Sequence, residues 1–249
     1  MRNAANKLVT NTSPFSLSPA SAYQGPIPFQ DRADAGRVLA KSLSRQVNFQ
    51  NSLLLALPRG GVPVAAEIAK ALLIPLDVFL VRKFGLRRNP DFAIGAVTSG
   101  RIHLLNDPAS ALAGTADVAS EIEDAIAREQ AELERRELCY RESRVAEPIA
   151  GRTVIVVGDG LTTGATMRNA ICALRQLNAA QIIAAIPVAS PEICLDLRSD
   201  ADLVVCALSP HSFFSVHHCY RDFSPVLDLE IRQLLAAAAQ GANLQAFHA

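Results

Sequence analysis

The sequence lacks the features that mark secreted, zinc-binding and membrane-spanning proteins. Its 249 residues include five cysteines, an odd number with no CxxC pair, which disfavours a disulfide framework or a zinc knuckle and fits a reducing cytoplasm. The N-terminal segment MRNAANKLVTNTSPF has no apolar run of signal-peptide length, and no later stretch approaches the length of a membrane span. We therefore expect a soluble cytoplasmic protein.

An excess charge of either sign is also missing. Lysine and arginine together number 24, as do aspartate and glutamate, so nothing in the net charge indicates a nucleic-acid partner or an anionic membrane. No predicted strand is followed by the GxGxxG fingerprint of dinucleotide-binding proteins, which sets dinucleotide-dependent redox chemistry aside. A small-molecule ligand is the hypothesis that remains.

Half of the residues are apolar, enough for one substantial α/β domain. Continuous apolar runs, typical of strands buried on both faces, alternate with helical segments. This alternation predicts a doubly wound, mainly parallel sheet with right-handed crossovers. The predicted strands are residues 53–57, 76–81, 154–157, 182–188 and 203–207, with helices at 166–177 and 191–197.

Three further segments have their own patterns. A helix is predicted after Asp31, with Ala33, Val38, Leu39 and Leu43 on one face. Residues 93–97 and 102–105 predict an antiparallel hairpin at the edge of the main sheet. Residues 118–142 predict a long helix whose charges form a solvated face, with i,i+4 pairs between Asp124 and Arg128, Glu132 and Arg136, and Glu137 and Arg141.

The composition also predicts the domain limits. Residues 1–28 are expected to form a flexible N-terminal tail, since the stretch from residue 10 is rich in Ser, Pro, Ala and Asn without periodicity. Residues 29–235 are expected to form the domain, and the Ala-rich residues 236–249 a C-terminal tail.

The sharpest motif is residues 154–166, VIVVGDGLTTGAT. A buried strand ends at Asp159, a turn rich in Thr and Gly follows, and a helix begins at once. Such a turn directs backbone N–H groups and the positive end of a helix at one point, which suits a phosphate monoester. An ordinary helix cap would explain one Thr, and hardly Thr162, Thr163 and Thr166 together with Gly164.

A second motif, LPRGGVPVA at residues 57–65, also joins a strand to a helix. Gly60 and Gly61 allow unusual backbone angles and expose N–H groups beside the permanent cation of Arg59, which suits a pyrophosphate. A plain turn is the alternative.

Arg82 and Lys83 follow the next predicted strand, where basic side chains point into the ligand crevice of an open α/β sheet. Arg87 and Arg88 are interpreted as ordinary loop charges.

Residues 154–166 resemble the phosphoribosyl pyrophosphate signature of type I phosphoribosyltransferases, a hydrophobic strand followed by two acids and a Thr/Gly phosphate loop. The resemblance spans about residues 29–235 and implies a type I phosphoribosyltransferase-like fold. It implies that Asp159 holds the ribose, that Thr162, Thr163, Gly164, Ala165 and Thr166 hold the 5′-phosphate, and that Arg59, Gly60, Gly61, Lys83 and Arg82 contact pyrophosphate. In related enzymes the pyrophosphate loop often contains a non-proline cis peptide.

One position departs from that signature, because Gly158 stands where the first acid is usual. Glycine supplies neither an acceptor for a ribose hydroxyl nor a charge to support magnesium. The loss of one charge-assisted hydrogen bond costs about 1.5–3 kcal/mol. A non-catalytic sensor of phosphoribosyl pyrophosphate or a nucleotide is therefore the alternative to a transferase.

The resemblance also implies a hood over the acceptor at about residues 209–226, packed by Phe213, Phe214 and Tyr220. Cys219 stands where the resembling subfamily commonly has tryptophan. His217, His218 and Cys219 show no metal-ligand spacing, so no protein metal site is predicted.

The implied function is a pentosyltransferase of nucleotide metabolism. It would transfer the phosphoribosyl group to a small acceptor that the sequence does not identify, a nucleobase being one candidate, with Mg²⁺ bound mainly through the ligand. Homodimers are frequent in families of this kind.

Overall fold

The computed structural model describes residues 29–47, 49–87, 92–106 and 116–246, so the predicted tail at residues 1–28 lies outside the described ranges. Short 3₁₀ turns occur at Ser99–Arg101, Leu197–Ser199 and Val216–Cys219. The helices and strands are, in chain order, α1 (Arg32–Leu43), β1 (Ser52–Ala56), α2 (Gly61–Leu72), β2 (Leu76–Val78), β3 (Val81–Phe84), β4 (Gly95–Thr98), β5 (Ile102–Leu105), α3 (Ala116–Arg141), β6 (Thr153–Val157), α4 (Ala165–Gln176), β7 (Gln181–Val188), α5 (Pro191–Asp196), β8 (Leu203–Leu208) and α6 (Asp228–Ala246).

The main sheet has five parallel strands in the order β2-β1-β6-β7-β8. Alternate residues of one strand face opposite sides of a sheet. Leu54 and Ile155 accordingly belong to the core formed with α1, α2, α3 and α6, while Leu53 and Val154 belong to the core formed with α4 and α5. Helices thus cover both faces, which confirms the predicted doubly wound, mainly parallel sheet.

The predicted hairpin forms, but the prediction that it lies at the edge of the main sheet is wrong. β4 and β5 pair antiparallel and join β3 in a separate three-stranded sheet. The chain leaves the main sheet between β2 and β3, where Leu80 donates its N–H to Ser99 Oγ at 2.8 Å. Since Phe79 and Leu80 are both buried, the apolar run from Val78 to Val81 is unbroken and gives no sign of this break.

Helix α1 begins as predicted, with Asp31 Oδ1 accepting from the Asp34 N–H at 2.7 Å. Leu39 and Leu43 are fully buried, as expected, but Val38 is 38% exposed. The buried stripe runs through Ala35, Gly36, Leu39, Ala40 and Leu43 instead. Ala35 and Gly36 enter it because α1 packs closely on α2: a Cβ atom on Gly36 would lie 2.5 Å from the Val64 carbonyl oxygen.

The prediction that the charges of α3 form only a solvated face is wrong at the end of the helix. Arg141 Nε donates to Asp77 Oδ1 at 2.8 Å, and the two side chains are 11% and 7% exposed. Asp77 also accepts from the backbone N–H groups of Val78 and Glu147, and Arg141 donates to the Val78 carbonyl. A buried ionic cluster therefore ties α3 to β2.

Two of the three predicted i,i+4 pairs form, between Glu132 and Arg136 at 2.7 Å and between Glu137 and Arg141 at 3.2 Å. Asp124 pairs with Arg87 instead, at 3.0 Å.

α6 runs to Ala246, past the predicted domain limit at residue 235. Among the described helices, none combines the length and the apolarity that a bilayer crossing requires.

Candidate functional site

Two loops meet at the carboxyl edge of the main sheet, the arginine–glycine loop (residues 57–61) and the threonine–glycine loop (residues 158–166). They follow β1 and β6, which are parallel neighbours, and Leu57 donates its N–H to the Val157 carbonyl at 2.8 Å. A Cβ atom on Gly60 would lie 1.8 Å from Asp159 Oδ2, and one on Gly61 would lie 2.4 Å from the Val157 carbonyl oxygen. A side chain at Gly61 would therefore meet backbone, and one at Gly60 would displace the Asp159 carboxylate.

This contact predicts a contrast between two glycines of the site. Gly61→Ala should lower the free energy of unfolding by about 1–3 kcal/mol, because the new methyl group would overlap the Val157 carbonyl and force the backbone to shift. Gly158→Ala should change it by no more than about 0.5 kcal/mol, since the nearest atoms to a Cβ there are 3.8 Å away. Urea denaturation of both variants is the measurement, and equal losses would contradict the close packing of the loops.

The threonine–glycine loop ends at the N-terminus of α4. Gly164 has φ +71° and is the N-cap of the helix, a conformation that favours glycine. Thr162 and Thr163 are exposed, and Thr163 Oγ1 accepts from the Ala165 N–H at 3.4 Å. Leu161 donates its N–H to the Val188 carbonyl at 3.0 Å, which anchors the loop to β7. The Thr163 hydroxyl thus lies at the positive end of α4, an arrangement suited to a phosphate.

Asp159 is paired with an arginine that sequence reasoning missed. Arg32 Nε donates to Asp159 Oδ2 at 2.9 Å, and the two side chains are 11% and 24% exposed. No motif marks this contact, since the two residues are 127 positions apart. The carboxylate at the centre of the candidate site therefore carries its own counter-ion.

Arg32 is held by the last residues of the hood segment. Its Nη1 donates to the Ser224 carbonyl at 2.9 Å, and its guanidinium carbon lies 3.8 Å from the centre of the Phe223 ring, within cation–π range. A cavity of about 240 Å³ adjoins Arg32, with Pro63 and Asp222 among its lining residues. The arginine is thus fixed between the hood and Asp159.

Arg59 follows a non-proline cis peptide, Pro58–Arg59, a feature that the resemblance implies. Its Nε lies 3.4 Å from Asp228 Oδ1, and its Nη1 donates to the Val226 carbonyl at 3.4 Å. Tyr140 donates to the same Asp228 oxygen at 3.1 Å; burial, and then Asp228, raise the pKa of this tyrosine hydroxyl. The Arg59 side chain is 46% exposed, so it retains access to a ligand.

The two basic residues of β3 differ in their surroundings. Lys83 is exposed, whereas Arg82 Nε donates to Glu129 Oε2 of α3 at 2.7 Å. Neighbouring residues of a strand point to opposite sides. Both belong to the small sheet and not, as the sequence interpretation assumed, to the end of a strand of the main sheet.

The hood residues cover the crevice together with the start of the described chain. Phe29 pairs with Tyr220 in a parallel bridge, and Tyr220 donates its hydroxyl to the Asp159 carbonyl at 2.6 Å. Burial, and then Asp159, raise the pKa of that hydroxyl well above its usual value, so it stays a donor at neutral pH. Phe213 packs with this cluster, but Phe214 is 84% exposed, so its predicted packing role is wrong.

No group of three or more His, Cys, Asp or Glu side chains within the described ranges is arranged to hold a metal ion. Beside the threonine–glycine loop, Gly158 offers no side-chain ligand, and one oxygen of Asp159 is already bonded to Arg32. These residues do not fit a magnesium site of the protein's own.

Comparisons with known proteins agree with this architecture. The family model of the phosphoribosyl transferase domain matches residues 29–220. A Mycobacterium tuberculosis protein named "Putative phosphoribosyl transferase" is 40% identical over 211 residues, covering 84% of this chain and 47% of that protein. The chain therefore spans about half the length of the curated relatives it matches.

A crystal structure of the protein TT1426 from Thermus thermophilus is similar with a TM-score of 0.72 and 38% identity, covering 84% of this chain and 98% of that one. The fold, the loops at the carboxyl edge of the sheet and the family match lead to one assignment. The chain belongs to the phosphoribosyl transferase domain family, with the fold of type I phosphoribosyltransferases.

Proposed function

We propose that this protein binds phosphoribosyl pyrophosphate at the carboxyl edge of the main sheet and transfers the phosphoribosyl group to a small acceptor with release of pyrophosphate. The observation that carries the proposal is the contact between the two glycine-rich loops, where the Gly60 backbone touches the Asp159 carboxylate. A ligand with a phosphate at one end and a pyrophosphate at the other would span both loops. The acceptor is a nitrogen nucleophile, of which a nucleobase is one candidate.

Each loop has a role in this proposal. The 5′-phosphate binds Thr162, Thr163, Gly164, Ala165 and Thr166 at the N-terminus of α4. Asp159 accepts from a ribose hydroxyl through its oxygen that Arg32 leaves open. The backbone N–H groups of Gly60 and Gly61, with Arg59 and Lys83, bind pyrophosphate, and Arg82 is the weaker candidate because Glu129 already holds it.

Catalysis in such a site consists of positioning and charge stabilisation. The acceptor nitrogen forms a bond to the anomeric carbon while the bond from that carbon to the pyrophosphate oxygen breaks, and the bonding pair leaves on pyrophosphate. The acceptor's proton is released to solvent. Arg59 and Lys83 stabilise the departing negative charge, and magnesium, which the resemblance implies, would be bound through the ligand's oxygens and water.

The test is pyrophosphate release from phosphoribosyl pyrophosphate against a panel of nucleobases and amines. We expect release with at least one acceptor and a loss of about tenfold or more in Lys83→Ala, because one charge-assisted contact to the leaving group is removed. Arg87→Ala, which removes an exposed cation paired with Asp124, is the matched control and should keep the native rate. No release with any acceptor would contradict the transferase proposal.

The second candidate function is a non-catalytic sensor of phosphoribosyl pyrophosphate or a nucleotide. Two observations favour it: Gly158 lacks the usual carboxylate, and Arg32 neutralises the remaining one, so little negative charge is left to stabilise a cationic ribose. A Gly158→Asp variant in the release assay discriminates the two functions. Binding of the donor by both proteins without release by either would favour the sensor.

A further inference from the structure

The ribose end of the site has no net charge of its own. Gly158 contributes none, and the single carboxylate of Asp159 is paired with Arg32 at 2.9 Å. Two carboxylates at this point would attract a divalent cation, whereas a carboxylate joined to a guanidinium has no such need. The positive charge that a metal would bring is already part of the chain.

Arg32 lies where the two loops meet. Its Nε would be 3.0 Å from a Cβ atom on Gly60, so the guanidinium borders the arginine–glycine loop as well as Asp159. Stacking on Phe223 and the hydrogen bond to the Ser224 carbonyl hold it there. Arg32 therefore places a guanidinium beside the proposed pyrophosphate site.

We propose that Arg32 supplies the positive charge that a protein-supported magnesium ion would otherwise supply, so that this chain binds phosphoribosyl pyrophosphate without requiring a divalent cation. The proposal rests on the proposed function, because it concerns the same ligand in the same crevice. In this proposal Arg32 is a binding residue contributed by α1, which lies outside both loops. Its pairing with Asp159 also neutralises that carboxylate, which would otherwise repel the anionic ligand.

The experiment is calorimetric titration of the full chain with phosphoribosyl pyrophosphate, in magnesium and in EDTA at equal ionic strength. The native protein should keep its dissociation constant within about threefold, the size of a residual screening effect. Arg32→Gln should weaken binding about tenfold or more in EDTA, as expected for a lost charge-assisted contact. Magnesium should restore part of that loss, since the freed Asp159 carboxylate is then available to a metal-bound ligand.

Arg37→Gln is the matched control. Arg37 is on the same helix, but its side chain is 53% exposed, and its ionic partners Asp34 and Glu67 belong to α1 and α2 and not to either loop. This variant should bind like the native protein. Arg32→Lys should lie closer to the native protein than Arg32→Gln in EDTA, because it keeps the charge; a thermal melt of each variant checks that it is folded.

Gly158→Asp tests the proposal from the opposite direction. The position has room, since the nearest atoms to a Cβ are 3.8 Å away. A second carboxylate there would repel the anionic ligand unless a cation accompanies it, so binding should become magnesium-dependent by about tenfold or more. If this variant binds the ligand equally well with and without magnesium, the charge at the ribose end does not control the need for a cation, and the proposal is contradicted.

The outcomes separate this inference from the proposed function. Native binding that is lost in EDTA would overturn the role of Arg32 and leave the proposed function standing. An Arg32→Gln variant that is folded and binds like the native protein in EDTA would do the same. Absence of binding to the native protein under both conditions would overturn both.

Discussion

Asp77→Ala is expected to lower the free energy of unfolding by about 3–5 kcal/mol, because it leaves the buried guanidinium of Arg141 without its main counter-ion. The pair is nearly inaccessible to water, and Asp77 also accepts two backbone N–H groups. Arg141 keeps its contact with Glu137 at 3.2 Å, so the lower end of the range is the closer expectation. Equilibrium unfolding in urea measures the difference.

Asp124→Ala is the matched control, because it also removes an aspartate paired with an arginine. The Arg87 and Asp124 side chains are 72% and 60% exposed, and such pairs contribute at most about 1 kcal/mol. A loss of similar size in the two variants would mean that the Asp77–Arg141 pair is no more important than a surface pair. It would then have no special part in fixing α3 on β2.

Thr163→Asp is expected to weaken the binding of phosphoribosyl pyrophosphate by about 100-fold, or about 2.7 kcal/mol, and to leave the melting temperature unchanged or slightly raised. The new carboxylate would occupy the N-terminus of α4, where the 5′-phosphate is proposed to bind, and would repel that phosphate. The same charge is favourable to the helix itself, by about 0.3–1 kcal/mol. Calorimetry and a thermal melt of the same sample measure the two effects.

Ser120→Asp is the control for added charge, since it introduces the same side chain at an exposed position near the start of α3. It should bind the ligand like the native protein. If Thr163→Asp also binds like the native protein, the 5′-phosphate does not occupy the threonine–glycine loop. If it binds weakly and melts much lower, the loss reflects misfolding, and Thr162→Glu, at an exposed residue of the same loop, then tests the repulsion instead.

The parallel sheet was predictable because its signal is local. Each central strand is a continuous apolar run with a helix after it, and residues 182–188 and 203–207 agree with β7 and β8 to within one residue. The break between β2 and β3 was not predictable. Both sides of it are buried, so the hydrophobic pattern continues while the hydrogen bonds pass from the main sheet to the small one.

The roles of charged residues depended on distant neighbours. Arg141 has the same i,i+4 spacing to an acid as Arg136, yet only Arg141 is buried, because Asp77 approaches it from another element. Arg82 and Lys83 are adjacent in sequence, and only packing against α3 distinguishes them through Glu129. Sequence spacing along one helix or strand contains no information about which surface a different element will cover.

At the site where the two loops meet, the chemical character of each loop was predictable from its own residues. A strand followed by Arg59-Gly60-Gly61, and another followed by Asp159 and a Thr/Gly turn, predict phosphate-binding loops, because glycine conformation, hydroxyl donors and helix starts are local properties. The contact between the loops and the pairing of Arg32 with Asp159 are seen only in the folded chain. Arg32 and Asp159 are 127 residues apart in sequence. They meet because the sheet places its strands side by side and because the hood segment holds Arg32 against the loops. No local sequence pattern records such a contact.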